Sequence, residues 1–146
     1  MNTARWWAFN ISGAALMWAA HAEGLLVQAY NADPTHIVVL IVAVFLYGLI
    51  LTPFCIRNNS PFKYAQRFKP LRQISSSLVF LGLIGTVVGF IIALSGVDPS
   101  SVGDQAQIQP MVAALLSGMG TALYTTLAGS VFSLWTTINA NILDGR

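Results

Sequence analysis

Charge is what this sequence has least of. Of its 146 residues, five are acidic and seven are basic, so charged side chains make up 8% of the chain, against the roughly 25% of an ordinary soluble domain. So few charges cannot cover a water-facing surface, and 55% of the residues are hydrophobic. Composition therefore argues against a soluble enzyme and for an all-α integral membrane protein. There is a single cysteine, Cys55, which excludes an intrachain disulfide and a cysteine-based metal site. Near a predicted helix end it reads as a small buried hydrophobe rather than a functional thiol. A cleavable signal peptide is not expected either. The first apolar run carries Trp6, Trp7 and Trp18 and continues past any short h-region, so it is expected to be retained. Repeat arrays and low-complexity tracts are absent too.

What charge there is falls between long apolar runs, and those runs suit the roughly 30 Å hydrocarbon core. Four spans are predicted, over residues 6–30, 34–56, 76–97 and 110–142, with a basic loop at 57–75 and an acidic loop at 98–109. The first is the least regular, because His21, Glu23 and Gln28 lie in its second half. It reads either as a span or as an interfacial helix. The basic loop holds Arg57, Lys63, Arg67, Lys69 and Arg72 and no acid, while Asp33, Asp98 and Asp104 fall in the other connections. Short loops rich in Lys and Arg stay in the cytoplasm. Four crossings with both termini inside put Arg5, the basic loop and Arg146 on one side and these three aspartates on the other. The same loop, with Phe62, Tyr64 and Phe68 among its cations, has the ingredients of a nucleic-acid patch. Between two spans it reads instead as a positive-inside loop with aromatics at headgroup level. Asp33 followed by Pro34 predicts a helix cap with proline at the first helical position, and Pro110 predicts the first turn of the last helix.

The stretch FLGLIGTVVGF, Phe80 to Phe90, carries Gly82, Gly85 and Gly89 at spacings that share one helix face. In lipid there is little hydrophobic drive between helices, so such a face reads as a place for close backbone approach. A phosphate-binding reading fails, since no strand precedes the glycines and no Walker lysine follows. In the last span Ser117, Thr121 and Thr125 recur every four residues, with Gly118 and Gly129 on the same side. Thr126, Ser130, Ser133 and Thr137 form a second polar stripe beside them, and aliphatic residues fill the remaining arc. Thr86, Thr121 and Thr125 all fall mid-span, where a hydroxyl either bonds back to the carbonyl four residues earlier or finds another partner. Carboxylates are the usual proton carriers inside membranes, and neither of the last two spans has one. Glu23, with His21 nearby, is this chain's own candidate, although a place at the outer interface would leave it simply solvated. No metal, nucleotide, redox or other cofactor chemistry is visible, and covalent catalysis is not expected.

Two segments, LGLIGTVVGFIIALSG and LLSGMGTALYTTLAG, joined by a short outside loop, resemble the signature hairpin of the MotA/TolQ/ExbB proton-channel family over residues 75–141. The resemblance implies a homopentamer in the bacterial inner membrane, around two copies of a single-span partner like ExbD, TolR or MotB. That partner's helix supplies the proton-binding aspartate. Family threonines beside the acid correspond here to Thr86 and Thr121, with Thr125 and Ser117 on the same predicted ion pathway. Ion passage would turn the ring against the partner and convert ion-motive force into mechanical work. Gly82, Gly85, Gly89, Gly118 and Gly129 would serve helix packing in the ring. Flagellar stators and the TolQ and ExbB proteins carry large cytoplasmic extensions, whereas the inside loop here is confined to residues 57–75. A minimal member is therefore expected, not one that pushes a flagellar rotor.

Two other readings compete. A small four-helix proton-coupled exporter would use Glu23 as its coupling acid and leaves the glycine and threonine runs unexplained. A membrane scaffold accounts for the packing face and not for hydroxyls at membrane depth. The residues leave H⁺ and Na⁺ both open as the coupling ion.

Overall fold

A computed structural model describes residues 3–57, 68–97 and 105–144, all of it helix and short turns. The elements in chain order are α1 (Thr3–Ala22), α2 (Leu25–Ala32), α3 (Ile37–Arg57), α4 (Lys69–Ser95) and α5 (Gln105–Asp144). Lys63, Arg67, Phe62, Tyr64, Asp98, Asp104 and Arg146 lie outside the described residues, as do the side chains of Cys55 and Arg57.

Where the sequence predicts one helix over residues 6–30, the structure has two. Gly24 takes the left-handed conformation at φ 74°, and its amide donates to the His21 carbonyl at 2.9 Å. This is how a helix is closed by glycine, the one residue without a steric penalty there. Helix α2 then restarts the chain for only 8 residues.

Asp33 caps as expected, but from further away. Its carboxylate accepts from the Thr35 amide at 3.0 Å and from the Val38 amide at 2.7 Å, so it satisfies an otherwise unpaired donor in the first turn of α3. Pro34 stays outside the helix, which begins at Ile37. Similarly, α5 starts at Gln105, so Pro110 lies inside the helix rather than at its first position.

Helices α4 and α5 are the body of the molecule. Leu71, Ser75, Leu78, Gly82, Gly85, Gly89 and Ala93 are the buried positions of α4, stepping by four and three along a single stripe. That stripe runs against α5. Helix α3 lies across the pair, where Ile41, Phe45, Leu78 and Phe132 form the main core, with Phe45 and Phe132 stacked at 4.5 Å between ring centroids. A second cluster, Phe68, Leu71, Ala140 and Leu143, closes the far end of the hairpin.

Among the described residues two helices are long and apolar enough to cross a membrane, Lys69–Ser95 and Gln107–Leu143; Ile37–Thr52 is apolar and shorter. The core helix of a soluble protein would be mostly buried. Here only 28% and 22% of the most apolar windows of the two long helices are buried. Leu83, Ile84, Val87, Phe90, Ile91 and Leu94 all point outward from α4, a surface that water disfavours and hydrocarbon accepts. With 40 residues, α5 is about 60 Å long at ~1.5 Å per residue, so it reaches well beyond a single bilayer core.

Candidate ion-pathway face

The site depends on how closely α4 and α5 approach one another. A β-carbon on Gly89 would lie 2.6 Å from the Ala122 nitrogen and 2.7 Å from the Gly118 carbonyl oxygen. One on Gly118 would lie 2.5 Å from the Gly89 carbonyl oxygen, and one on Gly129 2.7 Å from that of Leu78. Gly82 faces the Thr125 carbonyl, and any side chain on Gly85 would overlap Thr125 itself. All five glycines singled out in the sequence thus belong to one interface. That interface lies within the chain, between α4 and α5.

The hydroxyls divide into two groups. Thr125 is fully buried beneath Gly85, and its hydroxyl lies 2.9 Å from the Thr121 carbonyl and 3.1 Å from that of Ala122. Thr121 is fully buried too, and donates to the Ala32 carbonyl at the end of α2 at 2.7 Å. Ser117, one step of four earlier, is exposed. Four residues advance an α-helix by slightly more than a turn, so the row winds about 40° per step. It therefore passes from the surface at Ser117 into the interior at Thr125.

Thr86 is half-buried and donates to the Gly82 carbonyl at 3.0 Å. Across the seam its oxygen is also hydrogen-bonded to the hydroxyl of Thr126, which is exposed. Further along the same seam Ser75 meets the Ser133 hydroxyl at 2.8 Å and the Thr137 hydroxyl at 2.6 Å. The second polar stripe of α5 is therefore the one that α4 answers with hydroxyls of its own. The structure brings Thr86 to Thr126, while the hydroxyls of Thr121 and Thr125 bond to backbone carbonyls.

One partly buried polar cluster escaped the sequence reading. Asn10 of α1 donates to the Asn139 side-chain oxygen at 2.8 Å, Asn139 returns a bond at 3.2 Å, and the Trp135 indole donates to Asn10 at 3.1 Å. The Trp135 ring occupies the space a side chain on Gly13 would need. Asn10, the one asparagine of α1, and Asn139 near the end of α5 were the available signal, because such amides seek each other in lipid. Glu23, by contrast, lies exposed in the turn between α1 and α2, as does His21 at the end of α1. Among the described residues no group of three His, Cys, Asp or Glu side chains could hold a metal ion.

A glycine-sealed hairpin of two long outward-greasy helices, with hydroxyls along its seam and no acid in either helix before Asp144, defines a helical membrane protein built around an α4–α5 core. A family model described as the MotA/TolQ/ExbB proton channel family matches residues 60–146. This covers more than half of the chain and the whole hairpin, and the chain belongs to that family. No curated protein and no solved structure matches it. Members of the family work in membranes, in complexes with partner proteins.

Proposed function

We propose that this chain is the ring-forming subunit of a proton channel that converts ion-motive force into mechanical work. In this reading it crosses the bacterial inner membrane four times, with both termini inside, and five copies surround two single-span partner helices of the ExbD, TolR or MotB kind. The partner brings the aspartate that carries the proton. Thr86, Thr121, Thr125 and Ser117 belong to the ion pathway, Thr121 and Thr125 from behind the surface and Thr86 and Ser117 on it.

One observation carries this reading. The α4–α5 hairpin places hydrogen-bonding hydroxyls at mid-helix, on a flank open to another molecule, while neither helix has an acid before Asp144. A hydroxyl can accept from a protonated carboxyl and donate to a carboxylate, so it serves both states of an acid supplied by another chain. The exporter reading is disfavoured because its one carboxylate, Glu23, lies exposed in a turn outside the helices. The test is proton flux into liposomes under an imposed membrane potential. The complex purified from its native membrane through a tag on this chain is expected to conduct, and the chain alone is expected not to. Conduction by the chain alone that is lost with Glu23→Gln would overturn the reading.

A further inference from the structure

Between α1 and α3 the structure leaves a cavity of about 430 Å³, open to the surface, with Phe132 and Trp135 of α5 as its floor. It follows α1 from Asn10 to His21, a distance of ~17 Å at ~1.5 Å per residue. That is about half of a ~30 Å hydrocarbon core, the depth of one leaflet. Its walls are apolar side chains such as Ala14, Val42 and Leu49. The Asn10 amide at one end is committed to the Trp6 carbonyl, to Asn139 and to the Trp135 indole. At the other end His21 and Trp18 lie exposed, with ring centroids 6.4 Å apart. Spread over its length, the cavity measures about 25 Å² in section. A helix 10–12 Å across with its side chains covers roughly 80 Å² or more, so a helix of a second copy does not fit.

We infer that this cavity holds one acyl chain of a phospholipid of the outer leaflet, whose phosphate is bound at the mouth by His21 and Trp18. This rests on the membrane crossing in the proposed function and is independent of proton conduction. With the N-terminus inside, α1 runs outward, so His21 lies at headgroup depth and Asn10 near the midplane. Imidazole and indole N–H groups donate and phosphate oxygens accept, so the polar mouth suits a group that the walls below it exclude. Tryptophan, with an apolar body and a polar tip, belongs at that depth. If the cavity were empty, its lining would lack atoms to pack against and would lose dispersion contacts. Water would find too few polar partners between the two ends. A hydrocarbon chain supplies the missing contacts and fills the space where α1 and α3 stand apart.

The experiment uses the tagged complex from native membranes, reconstituted into phosphatidylethanolamine vesicles with a trace of phospholipid bearing a photoreactive diazirine on one acyl chain. After irradiation the labelled residues are mapped by mass spectrometry. Labelling at the cavity should exceed that at Leu83 and Val87, exposed apolar residues of α4, by about fivefold, the preference that one net hydrogen bond supplies. A diazirine at the end of the chain should mark Ala14 and Leu49, and one near the glycerol should mark Trp18 and Val42. His21→Ala should lower cavity labelling to the α4 level, and His21→Gln, which keeps an N–H donor, should preserve most of it. Ala14→Phe, which puts a ring in the cavity from an exposed position, should also remove the excess. Equal labelling of the cavity and α4, or an excess that survives both His21→Ala and Ala14→Phe, would overturn the assignment. A conducting complex without cavity labelling defeats this inference alone, whereas a labelled complex that carries no protons supports it and defeats the proposed conduction.

Discussion

Gly89 and Ala122 approach so closely that a β-carbon on the glycine would lie 2.6 Å from the alanine's backbone nitrogen. Backbone atoms cannot yield as a flexible side chain can, so the spacing of α4 and α5 is set here and at Gly118, Gly82 and Gly129. That spacing is what allows two threonines on different helices to bond directly across the seam.

Gly89→Ala and Gly118→Ala should each force the helices apart. The expected loss is about 1–3 kcal/mol, the usual cost of an extra methyl in a filled interface. Gly120→Ala, on the same helix with nothing within 4 Å of its would-be β-carbon, should be neutral or slightly stabilising. Denaturation of the purified chain in mixed micelles would check all three, and equal losses at Gly89 and Gly120 would contradict the seam.

Asn10→Leu alone should destabilise the chain by about 1–2 kcal/mol, because Asn139 and the Trp135 indole would lose their partner in an apolar interior. Replacing both asparagines with leucine should recover part of that loss, since neither amide is then left without a partner, while the Trp135 indole N–H still is. The same denaturation assay reads this as a double-mutant cycle. An additive double variant would show that α1 is not held to α5 by the amide pair.

Thr121→Val should free the corner between α2 and α3 by removing the bond to Ala32. Backbone amides of residues 25–33 are expected to exchange with deuterium faster, by about fivefold for a bond of about 1 kcal/mol. Thr86→Val should leave exchange in that corner unaltered. The reverse pattern would mean that Thr121 does not anchor α2.

Asp33→Ala should weaken the start of α3 by about 1 kcal/mol, the typical value of a helix cap. Asp33→Asn, which keeps one side-chain oxygen as an acceptor, should lose less. Circular dichroism with thermal melting would rank the two, and equal stability of Asp33→Ala and the unmodified chain would show that the cap contributes nothing.

Much of the hairpin was legible in the sequence because it depends on local spacing. The three glycines of α4 fall on one face whatever their partner, and scarce charge with long apolar runs is enough to indicate a membrane helix. What the spacing could not give was the partner of each face. Gly82, Gly85 and Gly89 meet α5 of their own chain, and nothing in their period distinguishes that from a neighbouring copy. The row Ser117, Thr121, Thr125 looked uniform because a step of four nearly matches the helix turn. The residual 40° per step, small over one turn, moves the row from outside to inside over three residues. The break at Gly24 was hidden inside an apolar run, where one glycine is compatible with a continuous helix and only the left-handed φ reveals the turn. Asn10 and Asn139 are separated by almost the whole chain, so their pairing is a tertiary fact that no local pattern carries.

The central claim is that the α4–α5 hairpin is one wall of a proton channel completed by an acid from another polypeptide. Cryo-microscopy of the complex purified from native membranes tests it most directly. The account predicts five copies of this chain around two single-span helices, with a carboxyl group of those helices facing the hydroxyl-bearing flank of the α4–α5 hairpin in at least one copy. A stable monomer or dimer of this chain with no second polypeptide would contradict it.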